Sequence, residues 1–322
     1  MKPCSNHKLL CGLTISTLLV LAGFTSSFVF LTDPAAPFSI GSTSSAADKA
    51  SSLDPRFGEY WYKGEAEISS YHLRQARYGE EHEGDAVLIF VTEPFSRRKQ
   101  VKVDQPAGGE GEVVNVLKLN ATKKFYTGIY PYSVMVSSFS PVEAPNRPLK
   151  ITATIQEWCG QVFTQINWRK NEYALESFSY FESEGDQKTK LEDVWLEDAL
   201  WNQIRIAPEN LPQGDFRIIS GTVTARLLHF ALKPEAAKGT LQTDSDSSQV
   251  YSLEYAQSQH RLKIRFEKTF PYRILAWEES YPGRDGQVQI TRATLRAQLK
   301  TAYWQKNRSQ DAALRQQLGL RE

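Results

Sequence analysis

From residue 53 onward, apolar and aromatic residues recur at every second position between punctuating Gly, Pro, Asn and Asp. That period places successive side chains on opposite faces of a strand, with one face buried. The stretch Tyr60 to Tyr71 keeps the alternation beyond ordinary strand length, and Gly64 inside it predicts a bend or bulge. Further alternating runs follow, among them Ala86–Thr92, Arg98–Asp104, Ser133–Phe139, Val162–Trp168, Val223–Ala231 and Val288–Tyr303. Helix-length amphipathic spacers between them are nearly absent. The expected fold is therefore mainly β: a large, curved, half-barrel-like antiparallel sheet with one or two short helices, and not a parallel α/β sheet.

Two segments break the period. Residues Asp193 to Ile204 bring Trp195, Leu196, Leu200, Trp201 and Ile204 near one face of a helix, with Glu192, Asp193, Glu197 and Asp198 in its first turns, where negative charge suits the helix dipole. A short helix carrying two tryptophans needs a broad apolar surface, so it is expected to pack across the concave face of the sheet. Arg308 to Leu320 predicts a polar terminal helix.

The N-terminal part obeys different rules. From Leu9 to Thr32, 24 residues, there is no charged side chain; Lys2 and Lys8 precede the run and Asp33 comes directly after it. This exceeds the roughly 20 residues that cross a bilayer and the roughly 7–15 of a cleaved signal peptide's apolar region. A signal anchor, or an unusually long signal peptide, is expected over residues 1–32. The positive-inside rule sends the chain beyond Asp33 outward. Leu21-Ala22-Gly23 resembles the start of a lipoprotein signal, but Phe24 stands where the lipidated cysteine would be. Residues 33–52, rich in Ala, Ser, Thr and Pro, predict a flexible tether. A β-rich domain over 53–307 and a helical tail over 308–322 complete the organisation. The expected location is the cell envelope: held at the inner membrane with the domain in the periplasm, or released there if the segment is cleaved.

Composition narrows the function classes. Lys plus Arg number 38 and Asp plus Glu 37, so no uniform field recruits nucleic acid, and no nucleic-acid partner is expected. Of three cysteines only Cys159 lies in the β-rich part, which excludes an internal disulfide there. No Walker A loop, dinucleotide-binding glycine fingerprint or G-x-S-x-G elbow is present, and the five histidines lack metal-ligand spacing. No cofactor is expected, and enzymatic activity is not favoured. His72 and His82, among Arg74, Arg77, Glu80, Glu81 and Glu83, suit a solvated hairpin.

Two groups of residues are candidates for chemistry. Glu182, Glu184 and Asp186 alternate, so on a strand their carboxylates share a side and invite a cation, with ion pairing to a neighbouring Arg or Lys as the alternative. Glu157 beside Trp158, and Trp277 beside Glu278, put carboxylates next to large rings; with Trp195 and Trp201 they could line an apolar groove with a polar rim. Acid–base hydrolysis would require Glu157, Glu182, Glu184 or Glu278 to converge in a cleft.

The words YWYKGEAEISSYHLRQARYGE, FYTGIYPYSVM, QEWCGQVFTQ, SYFESEGDQ and FPYRILAWEE resemble a family of exported bacterial proteins found mainly in Bacteroidota. Its members often carry the label "septum formation inhibitor Maf". Maf pyrophosphatases open with a strand and an S-x-S-P-R-R-type motif; Ser51 to Arg56 is only a loose echo of it, after an apolar segment and before strands. The resemblance implies export and no particular activity. More distantly, the closing strands are similar in architecture to periplasmic half-barrels of the lipoprotein-carrier type. The leading expectation is a cell-envelope binding protein holding a hydrophobic or lipid-like molecule on the concave face. The alternatives are a structural or interaction protein with an envelope protein partner, and a carboxylate-dependent hydrolase.

Overall fold

The computed structural model describes residues 53–104, 112–283 and 286–320. The predicted membrane segment and tether lie outside them; among the described residues no helix is long and apolar enough to cross a bilayer. The chain enters through α1 (Phe57–Trp61) and then runs as an antiparallel meander: β1 (Ala66–Arg77), β2 (Glu80–Ser96), β3 (Val113–Thr127), β4 (Tyr130–Pro141), β5 (Lys150–Glu157), β6 (Gly160–Arg169), β7 (Glu172–Ser179) and β8 (Gln187–Leu191). A short β9 (Trp195–Leu196) leads into α2 (Glu197–Ile206), β10 (Gly214–Ile219) and α3 (Thr222–Leu228). A second meander comes next: β11 (Pro234–Thr243), β12 (Ser248–Tyr255), β13 (Arg261–Glu267), β14 (Ile274–Pro282) and β15 (Val288–Thr301), before α4 (Ala313–Gln317).

All fifteen strands belong to one open sheet, ordered β8 to β1 and then β15 to β9. The two meanders join where β1 pairs with β15, from Ala66 opposite Thr301 to Arg74 opposite Arg292. Every pairing is antiparallel except β9 with β10. The mainly β expectation therefore holds, and the turns after β1, β3, β5, β7, β12 and β14 fall at one end of the sheet, the mouth.

Alpha-2 organises the core. Ala199, Leu200, Ile204 and Ile206 are buried, Asn202 Nδ2 reaches the Leu117 and Ser138 carbonyls on β3 and β4, and the Tyr255 hydroxyl on β12 donates to Glu197. Strands as far apart in the sheet as β4 and β12 thus meet one ten-residue helix, so the sheet bends round it. Trp201 stands edge-on to Trp277 of β14, ring centroids 5.3 Å apart. The helix does pack on the sheet, but later than predicted, because Trp195 and Leu196 first pair as β9 with Ile218 and Ile219.

Other departures have local causes. The predicted long strand begins only at Ala66: Phe57 and Trp61, four apart, share the buried face of α1, and the bulge falls at Ser70/Tyr71 instead of Gly64. Val223–Ala231 contains helix α3, not a strand; the N–H of Thr222 is capped by Asp198 Oδ2 at 3.0 Å, a partner supplied by α2. Arg98–Asp104 makes one isolated bridge, Lys102 to Phe95. The terminal helix shrinks to α4 after a 3₁₀ turn.

Candidate functional site

Along β1 the buried side chains of Tyr71, Leu73, Gln75 and Arg77 recur with period two, so the sheet's own alternation carries an arginine inward at the mouth. Arg77 is only 9% exposed. Its Nη1 donates to the Leu227 carbonyl at 2.5 Å and its Nη2 to the Tyr78 hydroxyl at 3.3 Å, while Nε is buried without a partner. The guanidinium lies 4.3 Å from the Tyr78 ring centroid and 5.7 Å from that of Tyr132. Among the described residues no carboxylate lies within ion-pair distance of it. A buried cation without a counter-ion is unfavourable in a folded chain, and an anion from outside would relieve it.

The residue after Arg77 is held in an unusual conformation. Tyr78 and Gly79 form the two-residue turn of the β1–β2 hairpin with φ of +57° and +81°. Such a turn wants left-handed backbone at both positions, which Gly adopts freely and a bulky residue adopts at a cost of roughly 1 kcal/mol. The strain places the Tyr78 hydroxyl 2.8 Å from that of Tyr132 and 3.4 Å from that of Tyr130. Burial would raise the Tyr78 hydroxyl's pKa, but the hydrogen bonds from Tyr130 and Tyr132 and the charge of Arg77 hold it below the ordinary value.

Arg77 and Tyr78 line a cavity of about 880 Å³ that opens at the mouth. Leu227, Leu228, Phe230, Ala231, Tyr281 and Pro282 give it apolar walls. Its polar lining includes Lys233, Glu235 and Ser258. Glu235 Oε1 is already satisfied by the N–H groups of Gln257 and Ser258, each at 2.6 Å, whereas the Ser258 hydroxyl is buried and free of partners. The size and make-up are those of a small-molecule pocket: mostly apolar, with a few polar groups that fix orientation.

Adjoining the lining residues Ser220 and Ser258 in the chain is a buried acidic cluster. Glu197 Oε2 accepts from Tyr255 at 2.6 Å and lies 3.6 Å from His260 Nδ1, and neither ring nitrogen of His260 has a hydrogen bond. A Cβ on Gly221 would stand 2.5 Å from Glu197 Oε1 and 3.4 Å from Asp198 Oδ1, so both carboxylates crowd one glycine. Burial lifts the pKa of each to about 7, against the hydrogen bonds from Tyr255 and Thr222, and lowers that of His260. Below about pH 7 the cluster therefore carries protons on its acids.

The residues singled out by sequence are dispersed. Trp195, Trp201 and Trp277 belong to the main core around α2. Trp158 stands out at the β5–β6 turn, where Glu157 Oε2 accepts the N–H of Cys159 at 2.6 Å. Glu278 pairs with Arg292 at 3.0 Å on the strand β15. Of the three acidic residues after β7, Glu184 accepts from Ser179 at 2.6 Å and pairs with His229 at 2.8 Å and Arg226 at 3.4 Å. These partners, with burial opposing them, hold its carboxyl below the usual range. Glu182 and Asp186 are both exposed beside it, and among the described residues no group of three His, Cys, Asp or Glu is arranged for a metal. Of the four carboxylates considered for hydrolysis, Glu278 pairs apart from the others, on β15, whereas Glu157 and Glu184 both act on the charge of Arg226 and Glu182 shares the turn of Glu184. The charge pattern around His72 and His82 places Arg77 in a solvated hairpin, but the structure buries it, because its register with Tyr71 and Leu73 turns it inward.

Comparison of the chain with family models, with curated proteins and with solved structures finds no match.

Proposed function

We propose that this chain is a cell-envelope binding protein whose half-barrel-like sheet takes an anionic amphiphile, with a long-chain carboxylate as the simplest example. The ligand sits in the mouth cavity and not on the concave face, which α2 occupies. One observation carries the reading: a buried guanidinium with an unpartnered Nε lines an apolar-walled cavity of about 880 Å³. Arginine presents a planar fork to a carboxylate or phosphate, and Leu227, Leu228 and Phe230 offer apolar surface for a chain. The envelope location rests on the charge-free run from Leu9 to Thr32.

Calorimetric titration with palmitate and with its methyl ester tests this. The acid should bind at least about tenfold more tightly than the ester, and Arg77→Gln should bring the acid down to the ester's level, a difference of about 1.4 kcal/mol. Equal affinity of acid and ester for the unaltered protein would refute the reading.

A further inference from the structure

We propose that the row of hairpin turns at the mouth docks onto a lipid bilayer. Four successive turns lie side by side there, those of β1–β2, β3–β4, β5–β6 and β7–β8. Each carries a large apolar or aromatic side chain into solvent: Tyr78 is 63% exposed, Ile129 81%, Trp158 68% and Tyr180 66%. They form a connected row. Tyr130 joins the hydroxyl of Tyr78 to the ring of Trp158, stacked at 6.3 Å, and Tyr180 lies so close over Gly160 that a Cβ there would meet its ring at 2.5 Å.

The opposite end of the same sheet supplies an internal control. Its turns between β4 and β5 and between β6 and β7 carry Asn146, Arg147, Lys170 and Asn171, and Lys170–Asn171 is also a two-residue turn with φ of +49° and +64°. Hairpins in this fold can therefore close on polar residues, and the mouth's aromatics are not required by turn geometry; Tyr62, Val101 and Trp304 at the opposite end are exposed to 50%, 46% and 45%, less than any of the four side chains of the mouth row. Exposed rings in one contiguous row mark an interaction surface.

The chemistry favours lipid. Trp and Tyr combine an apolar body with a polar tip, the pairing enriched at the headgroup level of membranes, and Ile129 at the apex of its turn would reach deeper. Glu157, Glu182, Glu184 and Asp186 lie near the last two turns, so attraction to anionic lipid is not the driving force. Docking by apolar burial onto neutral phosphatidylcholine, little affected by salt, is expected. The cavity opens at this same end; that continuity, unlike the exposure of the row, rests on the amphiphile reading above.

Cys159, exposed next to Trp158, provides the probe. In the full chain carrying Cys4→Ser and Cys11→Ser, an environment-sensitive dye on Cys159 should be quenched by brominated phosphatidylcholine vesicles. A dye on Asn171→Cys, in a Cys159→Ser background, should not be. The combined substitution Ile129→Ser, Trp158→Ser and Tyr180→Ser should reduce quenching at Cys159 to that control level. An unquenched Cys159 dye, or one quenched equally in the triple variant, overturns the proposal. Shielding of the dye from iodide that rises with protein concentration without vesicles also overturns it, assigning the row to a second copy of the chain. The triple variant should still bind palmitate from solution, and Arg77→Gln should still be quenched, so failure of docking and failure of the ligand reading are separable.

Discussion

Strand β1 begins beside one buried guanidinium and ends in another, and the two are treated differently. At its start Glu67 accepts from Arg205 through both oxygens, at 2.5 and 2.7 Å, while Arg205 Nε donates to the Pro271 carbonyl at 2.9 Å and the Tyr60 hydroxyl donates to Glu67 at 2.5 Å. Trp61 and Phe90 cover the guanidinium at 5.0 and 4.7 Å. At the other end Arg77 has similar aromatic cover but a carbonyl and a phenol in place of a carboxylate, and an idle Nε. The first arrangement satisfies itself and ties α2 to the sheet. The second has no carboxylate within ion-pair distance among the described residues, and that is the place the proposed amphiphile would take.

The sharpest way to break this comparison is to remove each charge in turn. Glu67→Gln leaves Arg205 as an uncompensated buried cation and should cost about 3–5 kcal/mol in denaturant unfolding. Arg77→Met removes a charge that had no counter-ion, and should change stability by less than about 1 kcal/mol without ligand. A loss at Arg77 as large as that at Glu67 would make it a structural residue.

Titration separates the regions further. The fold raises the pKa of Glu197 and Asp198 to about 7 because burial disfavours their charged forms. Their contribution is thus fully present below the ordinary carboxylate range and is lost as pH rises through about 7. Glu67 behaves oppositely: although burial opposes it, Arg205 and the Tyr60 hydrogen bond hold its carboxyl below the ordinary value, so its contribution is present above that value and lost as pH falls. Unfolding free energy should decline by about 5 kcal/mol between pH 5 and 8, about half of it from each carboxylate, and Glu197→Gln should halve that decline. An unchanged slope in the variant would place the titration elsewhere.

The smallest effects concern the phenols. Tyr60→Phe removes a donor to a buried carboxylate and should cost about 1.5 kcal/mol, whereas Tyr132→Phe removes a hydroxyl that meets Tyr78 and Arg77 but no carboxylate and should cost about 0.5 kcal/mol. Thermal unfolding of the two variants side by side reads the difference; equal costs would mean that the two ends are built alike.

Some of this is open to reading in the chain. Alternation marks most strands and the absence of a parallel sheet, because side-chain period is a local property of extended backbone. Aromatic words are visible too, but not their fates: Trp201 and Trp277 become core, while Trp158, equally apolar, becomes surface at a turn. Helix α3 is hidden because Val223, Ala225 and Leu227 alternate as a strand would, and its cap comes from Asp198, 24 residues earlier.

The sequence by itself determined that the described part is mainly β with short helices, but its pattern of charges places Arg77 in a solvated hairpin, which the burial of that residue overturns. The fold class stems from local geometry, in which a residue's neighbours two or four positions away decide its face. Only the tertiary structure decided that β1 joins the two meanders, that Glu67 finds a partner 138 residues away in Arg205, and that Arg77 finds no carboxylate among the described residues. Whether a buried charge is answered depends on which distant strands and helices are folded against it, and no local pattern encodes that distance.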